Sequence, residues 1–252
     1  IKLMVKIVMT LIPDGKKGVE DPGSPIYLDE NIISQPAAAL QLVAKEIFRM
    51  SDQVRDILKK TIELVKNEEV KSIDGLKENG EQVECLGKCI TEYLAALFSS
   101  GSLTEQQAAQ TASLMCVLSD VERMGTLSVE MAECMLERSD RKYKYTPEAM
   151  DELQKSLKVL NKMFCDSLKA LQGDDGIEPG KMMKRKDKLL DLDIKMRKAH
   201  IERVNKGKCK ASLTAPFTNI LHLIDRMGNS CINLADVAES GTSMKYFMLE
   251  EK

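Results

Sequence analysis

Val121-Glu122-Arg123-Met124-Gly125 and Ile224-Asp225-Arg226-Met227-Gly228 are two versions of one pentapeptide, 103 residues apart. At the same offset Met131 and Ala132-Glu133 match Leu234 and Ala235-Asp236. A repeat in register at this distance points to duplication of a structural unit. Each copy lies in a run of apolar residues spaced three and four apart, the signature of an amphipathic helix. Gly125 and Gly228 fall inside those helices, where glycine costs about 1 kcal/mol relative to alanine. A glycine kept in both copies implies close approach of a neighbouring helix.

Five further helical stretches surround the first copy. Leu114, Leu118, Val121, Met124 and Met131 form one stripe, on a helix from Ser102 to about residue 138. Ser102 and Glu105 have the spacing of a capping box. Upstream, Leu40, Val43, Ile47, Met50, Val54, Ile57 and Leu58 mark a helix from 37 to about 65, with Pro36 in its first turn. A second covers about 73 to 99 and stops at Ser99-Ser100-Gly101. Downstream, Thr146-Pro147 starts a fourth helix that ends near Gly173. A fifth runs from about 180 to 205 with Gly207 as its C-cap, and a sixth covers about 214 to 239.

Short connections between long helices imply antiparallel neighbours. The expected fold is all-α: six long antiparallel helices as two tandem three-helix bundles. The first repeat spans 36–140 and the second 141–239. Residues 14–35, rich in Pro and Gly, form a linker in which Ile26 and Leu28 dock onto a surface. Residues 240–252 are a flexible tail. Residues 1–13, IKLMVKIVMTLIP, are apolar with two lysines. They suit a membrane-proximal amphipathic segment, the end of a larger membrane part, or a short helix packed on the domain.

Composition excludes several classes. Lys and Arg number 37 and Asp and Glu 39, so 37 − 39 leaves −2 and no bulk attraction for nucleic acid. No run of eighteen apolar residues is present to span a bilayer. Seven scattered cysteines and two histidines far apart in sequence disfavour structural zinc. The cysteines are expected to be reduced, partly buried thiols. A di-metal carboxylate enzyme would want Glu-x-x-His pairs on its helices. Positions 197 and 219, three before His200 and His222, are Arg and Asn. No phosphate loop or nucleophile elbow appears, so the chain is expected not to be an enzyme.

Inward-facing carboxylates one turn apart could build a metal site in a bundle. Here Glu122 is followed one turn on by Thr126, and Asp225 by Asn229, so each candidate pair carries half the charge. Glu81, Glu84, Asp187 and Asp191 are further acids, read as solvated faces. His222 lies one turn before Asp225, and His200 is read as a helix-surface or interface residue. Arg123 and Arg226 project from the core and are candidates for contacts with a neighbour. Lys184 and Arg185, within the cluster Lys181 to Lys188, are candidates for contacts with phosphate or lipid headgroups.

The paired Glu122-Arg123-Met124-Gly125 and Asp225-Arg226-Met227-Gly228 motifs, each on the last helix of a three-helix unit, resemble the PhoU family. Met196 to Arg203 with Gly207, Tyr27-Leu28-Asp29-Glu30 and Ile12-Pro13-Asp14 look like the form at the C-terminus of bacterial sodium/phosphate cotransporters. The resemblance implies a cytoplasmic regulator of phosphate uptake, acting at the cytoplasmic face of the inner (plasma) membrane. Its implied partners are a transmembrane sodium/phosphate transport domain of the same polypeptide, the nearby membrane surface and a second copy in a homodimer. The alternative is a stand-alone adaptor that binds a transporter or sensor kinase. No cofactor is required, although family members can hold divalent or iron-type metal on Glu-x-x-x-Asp motifs. Glu122 with Thr126, and Asp225 with Asn229, occupy those positions without the second acid.

Overall fold

The computed structural model describes residues 21–66, 72–139, 144–173 and 179–239. Segments 1–13 and 240–252, and the start of the 14–35 linker, lie outside them. Six helices fill the described chain: α1 (Pro36–Lys66), α2 (Asp74–Ser99), α3 (Glu105–Ser139), α4 (Pro147–Leu171), α5 (Pro179–Asn205) and α6 (Thr214–Glu239). Short 3-10 turns occur at Glu30–Ile32 and Ala211–Leu213. No strand occurs among the described residues.

The helices begin and end for local reasons. The Thr146 side chain accepts the Ala149 amide while Pro147 takes the first turn of α4. Gly207, at φ 68°, ends α5 because a left-handed residue lets later amides reach back to the Arg203 carbonyl. The start of α3 differs from expectation. Thr104 and Gln107 form the reciprocal cap: Gln107 Oε1 accepts the Thr104 amide at 3.0 Å, and Thr104 Oγ1 accepts the Gln107 amide at 3.3 Å. Ser102 instead bonds Ser100, so the cap sits two residues later than its first possible site.

Within each repeat the three helices pack on one another, α1–α2–α3 and α4–α5–α6. The repeats join through α3 against α6 and α1 against α4. These four form an inner ring, and α2 and α5 lie outside, each packed mainly on its own repeat. The pairs Cys134–Asn219, Glu130–Arg226, Ser128–Met227 and Asp120–Asn233 run in opposite directions along the chain, so α3 and α6 are antiparallel. Met124, Met131, Met135, Met163 and Met227 are buried along these seams, where flexible thioethers fill irregular gaps. All seven cysteines are free thiols; Cys209 and Cys231 are buried, and Cys85 and Cys116 are exposed.

The end of the presumed linker is a strap fixed to α1. Glu46 is completely buried, and its Oε2 accepts the amides of Ile26 (2.9 Å) and Tyr27 (2.7 Å). Its Oε1 accepts from Arg49, whose terminal nitrogens donate to the carbonyls of Pro22 and Ser24. Tyr93 of α2 donates its hydroxyl to the Asp29 carbonyl at 2.8 Å. Backbone groups make this docking, with Leu28 half-buried against the core, while the Ile26 side chain stays exposed. Glu46→Ala strands two amides and the Arg49 charge. It should cost about 2–4 kcal/mol in urea unfolding and speed hydrogen exchange at Ile26 and Tyr27.

Candidate functional site

The repeated pentapeptides meet near the middle of the α3–α6 seam, with Gly125 and Gly228 facing their own repeats. A Cβ on Gly125 would lie 3.3 Å from methyls of both Val54 on α1 and Val83 on α2. One on Gly228 would lie 3.1 Å from Leu189 Cδ1 and 3.4 Å from Lys186 Nζ. Valine is stiff and stays put, whereas the ends of Leu189 and Lys186 can swing aside. Gly125→Ala should therefore cost about 1–2 kcal/mol despite its gain in helix propensity, and Gly228→Ala much less, as paired thermal melts would show.

The two acids of the repeat occupy different environments. Asp225 pairs with Lys186 of α5, whose Nζ lies 2.5 Å from Oδ1 and also donates to the Asp225 carbonyl at 3.1 Å. Asn229 is exposed. The Asp225 carboxylate already has its cation, so this half does not fit a metal ion. His222 is exposed on the same helix.

Glu122 is half-buried, and its Oε2 lies 3.1 Å from where a Cβ on Gly87 would stand. The glycine leaves room for the carboxylate against α2, beside the Met50 methyl. No cation pairs with Glu122 among the described residues. Burial, and secondly the charge of Glu84, raise its pKa. Thr126 is exposed and donates its hydroxyl to the Glu122 carbonyl, the ordinary back-bond of a helical threonine. Among the described residues no three His, Cys, Asp or Glu side chains gather closely enough to hold a metal ion.

The basic candidates also separate. Arg185 turns inward to Asp166 of α4, with Nη1 2.6 Å from Oδ2 and both side chains mostly buried. Lys184 and Arg123 are exposed. Arg226 reaches Glu130 of α3 at 3.9 Å, a loose surface pair across the seam. The cluster at the start of α5 thus spends Arg185 and Lys186 on internal pairing. The inward placement of Lys186, though not its partner, was legible in the repeat: it lies 103 residues after Val83, and Val83 is buried.

Of the two readings of His200, helix surface or interface, the structure gives the interface: it is buried between α5 and α6. It stacks on Phe217 with ring centroids 4.6 Å apart, and Nε2 lies 3.0 Å from Thr214 Oγ1. Burial, then the charge of Arg203, lowers its pKa, so it is a neutral core residue. Arg203 itself forks onto Glu152 of α4 through both terminal nitrogens.

The raised pKa of Glu122 has a definite consequence. The folded chain holds that proton more tightly than the unfolded chain, so stability falls as pH rises from the ordinary glutamate value of 4.5 through the raised one. Glu122→Gln should remove this fall and melt above the parent at neutral pH, with the difference closing in acid.

Residues 47–135, from α1 through most of α3, match the family model of the PhoU domain. The chain is 24% identical over 209 residues to the phosphate-specific transport system accessory protein PhoU homolog 1 of Thermotoga maritima, covering 82% of this chain and 88% of that protein. Its fold matches the crystal structure of PhoU from Pseudomonas aeruginosa with a TM-score of 0.71, at 13% identity, over 78% of this chain and 93% of that one. The PhoU domain match thus lies within the first repeat, and over 78% of the chain the fold is similar to that of PhoU from Pseudomonas aeruginosa.

Proposed function

We propose that the chain is a regulatory adaptor of a phosphate transport system, working through helix faces rather than catalysis. The observation that carries this reading is the similarity to the Thermotoga accessory protein, which runs along most of both chains. The distribution of charge agrees with it. The acids and bases of the repeated motif are spent on internal pairs or lie singly, and a docking protein has no need to converge them. In this reading the adaptor acts at the cytoplasmic face of the inner membrane, where a transporter exposes its soluble parts. No described helix is long and apolar enough to cross a membrane, so transport itself falls to a partner or to another part of the polypeptide.

Fusion to a sodium/phosphate cotransporter is the finer version of this proposal. The accessory reading is preferred because the similarity spans 88% of a protein named for a transport-system accessory role. The test is uptake of labelled phosphate by host cells that lack the chain. Uptake should persist when phosphate is abundant, and restoring the chain should curb it. Unchanged uptake would refute the proposal. If the regulated uptake vanishes when choline replaces sodium, the transporter served is the sodium-coupled kind.

A further inference from the structure

The outer helices α2 and α5 hold equivalent places in the two repeats, yet their outward faces differ. That of α2 carries Glu81, Glu84, Lys88, Thr91 and Glu92. That of α5 carries Met183, Leu190, Ile194 and Ile201, each more than half exposed. At 100° per residue these four fall within about 40° of arc, a straight apolar stripe about 27 Å long. Asp187 and Arg197 complete it, so the seam reads 183, 187, 190, 194, 197, 201. Steps of four and three alternate along it, the spacing of a coiled-coil seam.

The seam is also a mirror of itself about position 192. Turned end for end, Met183 meets Ile201, Leu190 meets Ile194, and Asp187 meets Arg197. Every layer pairs apolar with apolar or acid with base. We propose that α5 is a self-association surface, on which two copies of this chain pack their α5 helices antiparallel about a two-fold axis. Arg197 gives its Nε to Asp193 at 2.7 Å, and among the described residues its two terminal nitrogens bond nothing else. They are placed to take Asp187 of the second copy. Asp187 inside the stripe, with Asp191 beside it, argues against an anionic membrane as the occupant, because both would be pressed toward like charge. Lys184, Lys188, Lys195 and Lys198 stay on the solvent shoulder.

Sedimentation equilibrium of the whole chain tests this from about 1 to 200 µM, since a seam this short implies dissociation on the order of micromolar. Dimer should form in that range. Asp187→Arg and Arg197→Asp should each weaken it about tenfold or more, and the double variant should restore it. Ile194→Glu should leave monomer, with unchanged circular dichroism because the position is exposed. A chain monomeric throughout would overturn the proposal, as would a dimer indifferent to Ile194→Glu and to both charge reversals. Binding of the monomer to phosphatidylglycerol vesicles, lost in Ile194→Glu, would assign the stripe to membrane instead and equally overturn it.

Discussion

The antiparallel seam between α3 and α6 is the contact on which the remaining architecture hangs. Each of these helices packs on both other helices of its own repeat and on its counterpart in the other. Such a central helix must be narrow on several sides at once. Gly125 admits Val54 and Val83, and Gly228 admits Leu189 and Lys186. Ser128 bonds Met124 and Met227, and Thr61 bonds the Ser128 carbonyl, while the buried Ser230 hydroxyl of α6 has no partner among the described residues.

The two repeats share one plan and differ in charge. In the second repeat a lysine stands where the first has Val83, and its ammonium neutralises Asp225. In the first, Glu122 lies against Gly87 with Glu84 nearby and no cation. One acid is tied into the packing of its repeat, and the other lies half-buried without a cation among the described residues, its pKa raised by burial and by Glu84. The pentapeptide is therefore better described as a packing motif whose acidic position has been adapted separately in each bundle.

The buried Glu46 does for the N-terminal strap what the glycines do for the helices. A strap of irregular chain has no internal ladder for its amides, and these must find acceptors elsewhere. One carboxylate takes two of them, and Arg49 both balances its charge and ties down two carbonyls. Chain ahead of α1 thereby becomes part of the first bundle.

Apolar spacing of three and four, the Pro147 and Gly207 boundaries, and the 103-residue repeat determined six helices and their grouping by threes, because those signals act within a few turns of chain. The repeat also marked the helices that would be central. Which acids are neutralised lay beyond local pattern. Lys186 and Asp225 are 39 residues apart, and Arg185 meets Asp166 only once α4 and α5 are side by side. His200 could be read as a helix-surface or an interface residue, and only α6, bringing Phe217 against it, decides for the interface. Ile26 and Leu28 suggested docking onto a surface; Leu28 does pack against the core, but the Ile26 side chain stays exposed and its amide, with that of Tyr27, holds the strap instead. The apolar stripe of α5 was present in the sequence, but an amphipathic pattern does not say which of its residues the neighbouring helices will cover. Only the packing of α4 and α6 leaves Met183, Leu190, Ile194 and Ile201 facing water.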